Sequence, residues 1–298
     1  SMTIWKNYFL AETVQEALEL LAQSEGDACP IAGGTDLLLD LQQGRHPPLD
    51  TLVDLSQIPE MRQLEIRGGK LFIGAALPLN RLVESPLAQQ HAPTLMDAAR
   101  LIGGPQVRNT ATLGGNVCHA LPAADGTIAL LSLNATALVA RLEQRCEIPL
   151  GELFRGPGKS ALDPRREILV GFNLPLREAG QASAFRRVMR PQGVAIAILN
   201  LAVWLQRAAT RIADIRIAIG PAGPTPLRAV QTEAALRSQP YQPTLPPQAL
   251  EALLSESRFR TSPHRATEAY RRAMAGVLLQ ETLEVAWQRT LDVENQDD

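Results

Sequence analysis

The pattern of apolar positions in the first sixty residues predicts a small unit in which strands and helices alternate. Apolar side chains recur at helical spacing across residues 13–21, and Thr13 begins a capping box there. Two short apolar runs, residues 28–31 and 51–55, predict buried strands on either side of a leucine-rich segment, residues 37–43, that predicts a second helix. This order predicts a β-α-β-like unit in which a glycine-rich turn joins a strand to a helix.

Residues 62–180 are predicted to contain shorter strands and more turns than the first sixty residues. Pairs of apolar runs separated by turn residues predict β-hairpins, and a longer apolar run predicts a further strand. The predicted elements are hairpins at 64–75 and 135–150, a strand at 168–174, a helical stretch at 87–102 that Pro93 interrupts early, and a helix at 124–133.

The last third of the chain predicts a sheet followed by helices. The middle strand of the sheet is almost wholly apolar, and a Gly/Pro-rich segment follows the last strand. The predicted strands are 185–189, 194–206 and 212–219, and the predicted helices are 228–237, 247–255 and 263–288. We therefore predict an α+β protein with three domains, at residues 1–60, 61–180 and 181–298.

Two glycine-rich segments about eighty residues apart are the strongest functional signal. They are Ala32-Gly33-Gly34-Thr35-Asp36 and Thr112-Leu113-Gly114-Gly115-Asn116. Adjacent glycines permit positive φ and close approach, so that successive amide N–H groups can bind a phosphate. Either pair alone is typical of a simple turn, but together they favour a dinucleotide held between two subdomains. The spacing does not fit the dinucleotide-binding G-x-G-x-x-G fingerprint.

Several polar residues near these segments have both a binding and a structural interpretation. Asp125 can accept hydrogen bonds from a ligand or cap the predicted helix. Arg108 can pair with a phosphate or serve a structural role. Cys118 and His119 follow the second glycine pair, but no base partner is identifiable nearby, so neither is predicted as a nucleophile.

Composition narrows the functional class. The chain has 298 residues, is 45% hydrophobic and carries a net charge of -2, which permits a full core and argues against a nucleic-acid partner. No apolar run is long enough for a membrane helix and no secretory signal is evident, so a cytoplasmic location is expected. Three isolated cysteines and four scattered histidines predict neither an iron–sulfur cluster nor another metal site.

The chain resembles the flavoprotein subunit of the molybdenum hydroxylases, a family that includes xanthine dehydrogenase and carbon monoxide dehydrogenase. The longest matching run is Q-V-R-N-T-A-T-L-G-G-N at 106–116. The other matching segments are 32–38, 52–55, 58–60, 73–75, 122–125, 156–159, 184–187 and 226–228. The resemblance implies two subdomains of the vanillyl-alcohol-oxidase type that hold FAD, followed by a C-terminal sheet-plus-three-helix domain.

The resemblance also implies which residues contact FAD. Residues 31–36 would surround the pyrophosphate. The second phosphate and the ribityl region would be held by Thr112, Gly115 and Asn116, and Asp125 would form a hydrogen bond near the flavin end. The full set of implied contacts is Ile31, Ala32, Gly33, Gly34, Thr35, Asp36, Ile102, Thr112, Gly114, Gly115, Asn116, Asp125, Leu169 and Arg187. The chain departs from the family where a lysine is usual, because Arg187 or Arg186 stands there.

The function implied by the resemblance is electron transfer within a complex. Electrons would pass from a large molybdenum-cofactor subunit, through [2Fe–2S] clusters on a small subunit, to this FAD, and then to an acceptor such as NAD, ferredoxin or oxygen. This role needs no catalytic acid, base or nucleophile. One alternative is a self-sufficient flavoenzyme, for which His119 is the obvious candidate base. Another is a ligand-binding scaffold without activity, which would not bind FAD.

Overall fold

A computed structural model of the chain describes residues 5–32, 46–189, 197–262 and 266–297, with side chains as far as residue 292. The predicted helix at 37–43 and the residues Gly33, Gly34, Thr35 and Asp36 lie outside the described residues. The described strands are β1 (Trp5–Leu10), β2 (Ala28–Ile31), β3 (Leu49–Asp54), β4 (Leu64–Arg67), β5 (Lys70–Gly74), β6 (Thr136–Ala140), β7 (Arg145–Pro149), β8 (Phe154–Gly156), β9 (Lys159–Ser160), β10 (Ile168–Pro175), β11 (Gln181–Met189), β12 (Ala197–Ala208), β13 (Arg211–Gly220) and β14 (Leu227–Arg228).

The described helices fall between and after these strands. They are α1 (Val14–Gln23), α2 (Leu79–Glu84), α3 (Pro86–His91), α4 (Pro93–Leu101), α5 (Pro105–Arg108), α6 (Leu113–Cys118), α7 (Asp125–Ser132), α8 (Val230–Leu236), α9 (Pro247–Glu256) and α10 (Glu268–Asp297), with 3-10 turns at Pro59–Arg62 and Leu150–Leu153. None of these helices combines the length and the apolar character that crossing a bilayer requires.

The first sheet is parallel and has the order β1-β3-β2. Helix α1 begins as predicted, because the Thr13 hydroxyl accepts a hydrogen bond of 3.0 Å from the Glu16 amide. The four apolar residues that repeat at helical spacing along α1 are buried. Strands β2 and β3 pair in parallel, so the predicted strand pair is confirmed, and β2 ends one residue before Ala32.

The second sheet is antiparallel and has the order β4-β5-β10-β6-β7. Both predicted hairpins are present, and the turn of the first consists of Gly68 and Gly69 with φ of +54° and +76°. The predicted helical stretch at 87–102 is interrupted at Pro93, as expected, and consists of two helices, α3 and α4, because Pro93 cannot continue a helix and begins a new one. Helix α2 was not predicted.

The third sheet is antiparallel, has the order β11-β12-β13-β14, and is covered on both faces. Side chains alternate along β12, so Leu201 and Val203 pack with the C-terminal helices. Ala202 packs with the core of the second sheet and its helices. Burial on both faces explains why β12 is almost wholly apolar, and it brings the third sheet against α4 and α7. The proposed division into three domains stays a prediction.

Candidate functional site

Thr112 joins the two glycine-rich segments. Its hydroxyl donates a hydrogen bond of 3.0 Å to the backbone carbonyl of Ala32, eighty residues earlier in the chain. The same oxygen accepts a hydrogen bond of 3.0 Å from the Gly115 amide, so Thr112 also caps the first turn of α6. The end of β2 and the start of α6 therefore meet, as the prediction of a ligand between two subdomains requires.

The predicted backbone geometry of the second glycine pair is wrong. Gly114 and Gly115 lie inside α6 with helical conformation instead of forming a turn with positive φ. Glycine is needed at Gly114 for another reason, since a Cβ there would lie 2.6 Å from the carbonyl oxygen of Ala75. The Thr112 cap decides the conformation, because it supplies the hydrogen bond with which a helix begins.

Asn116 connects α6 to the beginning of α7. Its side-chain oxygen accepts a hydrogen bond of 3.2 Å from the Thr127 amide. A Cβ at Gly126 would lie 2.9 Å from that same oxygen, so the two helices approach as closely as they do only with glycine there. The contact fixes the start of α7, and therefore Asp125, relative to Thr112.

Asp125 is the centre of a buried polar cluster. Its carboxylate accepts a hydrogen bond of 2.8 Å from Arg187 Nη1 and one of 2.6 Å from Asn200 Nδ2. Arg187 on β11 and Asn200 on β12 are directly opposite each other in the sheet register, so both side chains reach Asp125 from one face. Asp125 is the first helical residue and Ala124 precedes it as the N-cap, so the capping interpretation of Asp125 is wrong.

The pKa of Asp125 reflects this environment. Burial raises the pKa of the carboxyl above its ordinary value, while the hydrogen bond from Asn200 and the charge of Arg187 act in the opposite direction. The balance leaves a carboxyl group whose ionisation depends on its two neighbours. A ligand that approached this cluster would therefore encounter a site whose charge is set by Arg187 and Asn200.

Asn200 is a member of the cluster that the sequence analysis did not identify. Its Nδ2 also donates a hydrogen bond of 2.8 Å to the carbonyl of Ala123, whereas its Oδ1 is buried and has no hydrogen-bond partner in the described part of the chain. The signal for Asn200 in the sequence is that it is a single asparagine within the apolar run of β12. A buried polar side chain among apolar neighbours usually has a specific partner.

The structure distinguishes the two arginines that could replace the family's lysine. The Arg187 side chain is 17% exposed and faces Asp125. The Arg186 side chain is 49% exposed and lies on the opposite face of β11, where its Nε is 3.4 Å from Glu281. Only Arg187 therefore belongs to the Asp125 cluster.

The three apolar candidates lie in three different elements of the fold. Ile31 ends β2, and Ile102 ends α4 and packs against the core of the second sheet. Leu169 lies in β10 beside a β-bulge and is buried in the same core. Arg108, the alternative phosphate ligand, donates to the carbonyls of Arg100 and Gly103, which favours its structural interpretation.

Cys118 and His119 lie at the end of α6. Cys118 is exposed, and no residue that the structure describes forms a hydrogen bond or an ion pair with its thiol. Without a neighbouring base or cation to favour the thiolate, a thiol is a poor nucleophile at neutral pH. The His119 ring is half-buried and has no hydrogen bond to any residue that the structure describes, so no carboxylate orients it as a base.

Comparisons with protein families agree with this arrangement. Residues 3–177 match the family described as the FAD binding domain in molybdopterin dehydrogenase. Residues 183–286 match the family described as the CO dehydrogenase flavoprotein C-terminal domain. Together the two families cover all three sheets and every residue of the Asp125 cluster.

Individual relatives match over nearly their full length. The putative xanthine dehydrogenase FAD-binding subunit of Escherichia coli K12 is 31% identical, over 89% of this chain and 90% of its own. The carbon monoxide dehydrogenase medium chain of Hydrogenophaga pseudoflava is 30% identical, over 95% of this chain and 97% of its own. A solved structure of carbon monoxide dehydrogenase from Hydrogenophaga pseudoflava superposes with a TM-score of 0.90 at 31% identity, covering 97% of this chain and 99% of the other. This chain therefore belongs to the family of FAD-binding subunits of molybdenum-containing dehydrogenases, and its cofactor is FAD.

Proposed function

We propose that this chain carries electrons from [2Fe–2S] clusters of a small partner subunit to an external acceptor such as NAD, in a complex whose large subunit holds the molybdenum cofactor. The observation that carries the proposal is the end-to-end match to a medium chain of carbon monoxide dehydrogenase, which leaves 3% of that relative unmatched. The Asp125 cluster adds support, because its carboxyl, guanidinium and amide groups can position a ligand.

The residues at the joined glycine segments fit the polar parts of FAD. The contact between Thr112 and Ala32 brings the segment after β2 against α6, where a pyrophosphate would need backbone and hydroxyl donors. The unpaired buried Oδ1 of Asn200 is an acceptor for which the described residues provide no donor. We propose that residues 31–36, Thr112, Gly115 and Asn116 hold the phosphates and ribityl chain of FAD.

The charged and polar side chains of the Asp125 cluster would set the electrostatic environment of the flavin. FAD supplies the redox chemistry when bound, and the protein supplies orientation and charge. Arg187 places a fixed positive charge beside Asp125, and Asn200 holds the carboxylate on its other side. We propose that Arg187 takes the place of the family's lysine at the cofactor. We also propose that Ile102 and Leu169 make apolar contacts with the cofactor.

The experiment that tests the relay compares the lone chain with the reassembled complex. The purified chain, loaded with FAD, should be reduced by dithionite and should not oxidise purines, aldehydes or N-heterocycles. Turnover is expected only after a molybdenum subunit and a [2Fe–2S] subunit are added. The readouts are flavin absorbance for reduction and product formation for turnover.

His119→Ala is the matched variant, since His119 is the obvious candidate base for the self-sufficient alternative. In a relay the variant should leave dithionite reduction and complex turnover unchanged. Substrate oxidation by the lone chain that His119→Ala abolishes would replace the relay with the self-sufficient flavoenzyme. A colourless chain with no affinity for FAD would contradict both.

Two further expectations belong to the same proposal. The domains are proposed at residues 1–60, 61–180 and 181–298, so that limited proteolysis should cut first near residues 60 and 180. A cytoplasmic location is proposed together with the reduced state of the three cysteines, Cys29, Cys118 and Cys146. Cell fractionation of the native organism measures the location directly.

A further inference from the structure

A second cavity lies between the third sheet and the helices of the middle region, away from the Asp125 cluster. It has a volume of about 370 Å³, and its lining includes Arg177, Arg216, Arg228 and Arg237. The cavity lies beside Leu133, at the end of α7 opposite Asp125. Because each helical residue advances about 1.5 Å, the eight residues of α7 separate the two sites by roughly 12 Å.

Most of the cavity's arginines have protein partners. Arg228 makes a two-pronged ion pair with Glu233, with nitrogen–oxygen distances of 2.8 and 2.9 Å. Arg237 donates a hydrogen bond of 2.9 Å to Asp214. Arg177 donates a hydrogen bond of 3.0 Å to the carbonyl of Gln90. These contacts hold the cavity wall in place.

Arg216 differs from the other three. Its guanidinium carbon lies 3.8 Å above the ring centroid of Trp204, its directly opposite neighbour on β12. Its Nε is buried and has no hydrogen-bond partner among the described residues, and the side chain forms no ion pair there. A half-buried cation without a hydrogen-bonded anion is costly unless an anion binds to it.

The charge around Arg216 remains positive at neutral pH. Burial and the charge of the neighbouring Arg228 together lower the pKa of Arg216 to about 10, against the opposing effects of Asp214 and Glu233. A pKa near 10 leaves the guanidinium protonated at pH 7. Among these charged groups the four arginines outnumber three carboxylates, which are Glu178 and Asp214 in the lining and Glu233 paired with Arg228.

We propose that this cavity binds a small polyanion that carries phosphate or carboxylate groups, with Arg216 as its principal ligand. Stacking on Trp204 restricts the orientation of the guanidinium, and Arg216 lines the cavity, where its Nη groups can donate to an anion. The volume is in the lower part of the range for small-molecule sites and suits an ion of the size of pyrophosphate or citrate. The site is separate from FAD and does not depend on the relay.

The test is calorimetric titration of the FAD-saturated full chain with inorganic pyrophosphate and, separately, with citrate. FAD saturation blocks the cofactor's own phosphate site, and flavin absorbance confirms that FAD stays bound during the titration. Saturable binding with one site per chain is expected for at least one of the two ions. Pyrophosphate binding alone identifies a phosphate ligand, and citrate binding alone identifies a carboxylate ligand.

Arg216→Gln should weaken binding about tenfold or more, because charge-assisted hydrogen bonds to an anion are lost. Arg211→Gln is the matched control, because Arg211 is an exposed arginine on the same strand whose Nη1 donates to the Ser238 carbonyl. It should change affinity by less than about twofold. Arg216→Lys keeps the charge but not the planar group, and about threefold weakening is expected.

Three results would overturn the proposal. They are the absence of saturable binding of either ion at millimolar concentration, equal weakening by Arg211→Gln and Arg216→Gln, and unchanged affinity in Arg216→Lys. The lysine variant decides the outcome if Arg216→Gln fails to fold, which circular dichroism reports.

Discussion

Two ion pairs attach the C-terminal region, which comprises the third sheet and the helices after it, to the middle region of the chain. They differ in how many of their polar atoms have hydrogen-bond partners. At one, Arg289 contacts both carboxylate oxygens of Asp97, at 2.6 and 2.9 Å, and the Phe185 amide donates to the same carboxylate at 3.1 Å. At the other, Arg187 makes one hydrogen bond to Asp125, and Asn200 beside it keeps a buried oxygen without a partner.

The difference distinguishes a structural contact from one that can receive a ligand. The pair between Asp97 and Arg289 also includes the Ser183 carbonyl at 2.7 Å, so its geometry is satisfied within the protein. The Asp125 cluster has an unused acceptor and an arginine with further donors, in the region to which the glycine segments converge. We expect loss of the first pair to affect mainly stability and loss of the second to affect mainly FAD.

The largest expected effect is on stability, from Asp97→Ala. The change leaves the Arg289 guanidinium and the Phe185 amide without their acceptor, and we expect the free energy of unfolding to fall by about 2–4 kcal/mol. The measurement is urea unfolding followed by circular dichroism. The remaining folded protein should bind FAD with nearly unchanged affinity, because Asp97 is distant from the glycine segments.

Glu281→Ala is the control for this variant. Glu281 also joins α10 to β11, but its pair with Arg186 is half-exposed on both sides, at 50% and 49%. Exposed pairs contribute less than about 1 kcal/mol, so the control should unfold close to the wild type. Equal losses in the two variants would show that the pair between Asp97 and Arg289 stabilises the fold no more than an exposed pair does.

A smaller effect, on cofactor affinity, is expected from Arg187→Ala. Removing the fixed charge beside Asp125 should weaken FAD binding about tenfold, which corresponds to roughly 1.4 kcal/mol. Arg186→Ala, on the exposed face of the same strand, should change the affinity less than about twofold. Titration of the FAD-free chain, followed by flavin fluorescence, gives both values.

The reverse order of these two variants would show that Arg186 is the residue near FAD. Equal losses of FAD affinity in the two alanine variants would show that neither arginine has a specific contact with FAD. Arg187→Lys should recover part of the affinity for FAD relative to Arg187→Ala. Lysine restores the positive charge but lacks the planar guanidinium with its several N–H donors. A lysine variant as weak as the alanine variant would assign the effect to packing instead of charge.

Much of the fold follows from local sequence signals. The Thr13 cap, the Gly68-Gly69 hairpin and the apolar run of β12 each determine a local structure almost independently of the rest of the chain. The second glycine pair shows the limit of such signals. Its first glycine, Gly114, is required by a contact with Ala75, nearly forty residues away, and no local pattern reveals that contact.

The polar cluster could be predicted only in part. Asp125 and Arg187 are charged residues in recognisable motifs, so both were candidates from the sequence. Asn200 was not, because its role depends on the register that places it opposite Arg187 and beneath Asp125. Register between distant strands is set by tertiary packing, and a single sequence contains no direct record of it.

The smallest expected effect is a pH dependence that Asp125 produces. Burial raises the pKa of its carboxyl in the folded protein above 3.8, the ordinary value, against the opposing effects of Asn200 and Arg187. The folded chain therefore retains this proton at pH values where the unfolded chain has lost it. The bound proton therefore stabilises the folded chain relative to the unfolded chain. This stabilisation is fully present below pH 3.8 and is lost as the pH rises through the folded-state pKa.

Asp125→Asn removes the titration while keeping a side chain of similar size. Its free energy of unfolding, relative to the wild type, should increase as the pH rises from about 4 and then level off once the wild-type carboxyl is ionised. Urea unfolding of both proteins at several pH values between 4 and 7 measures the difference. A difference that moves in the opposite direction would mean that Arg187 and Asn200 outweigh burial, and the cluster would then be as fully satisfied as the pair between Asp97 and Arg289.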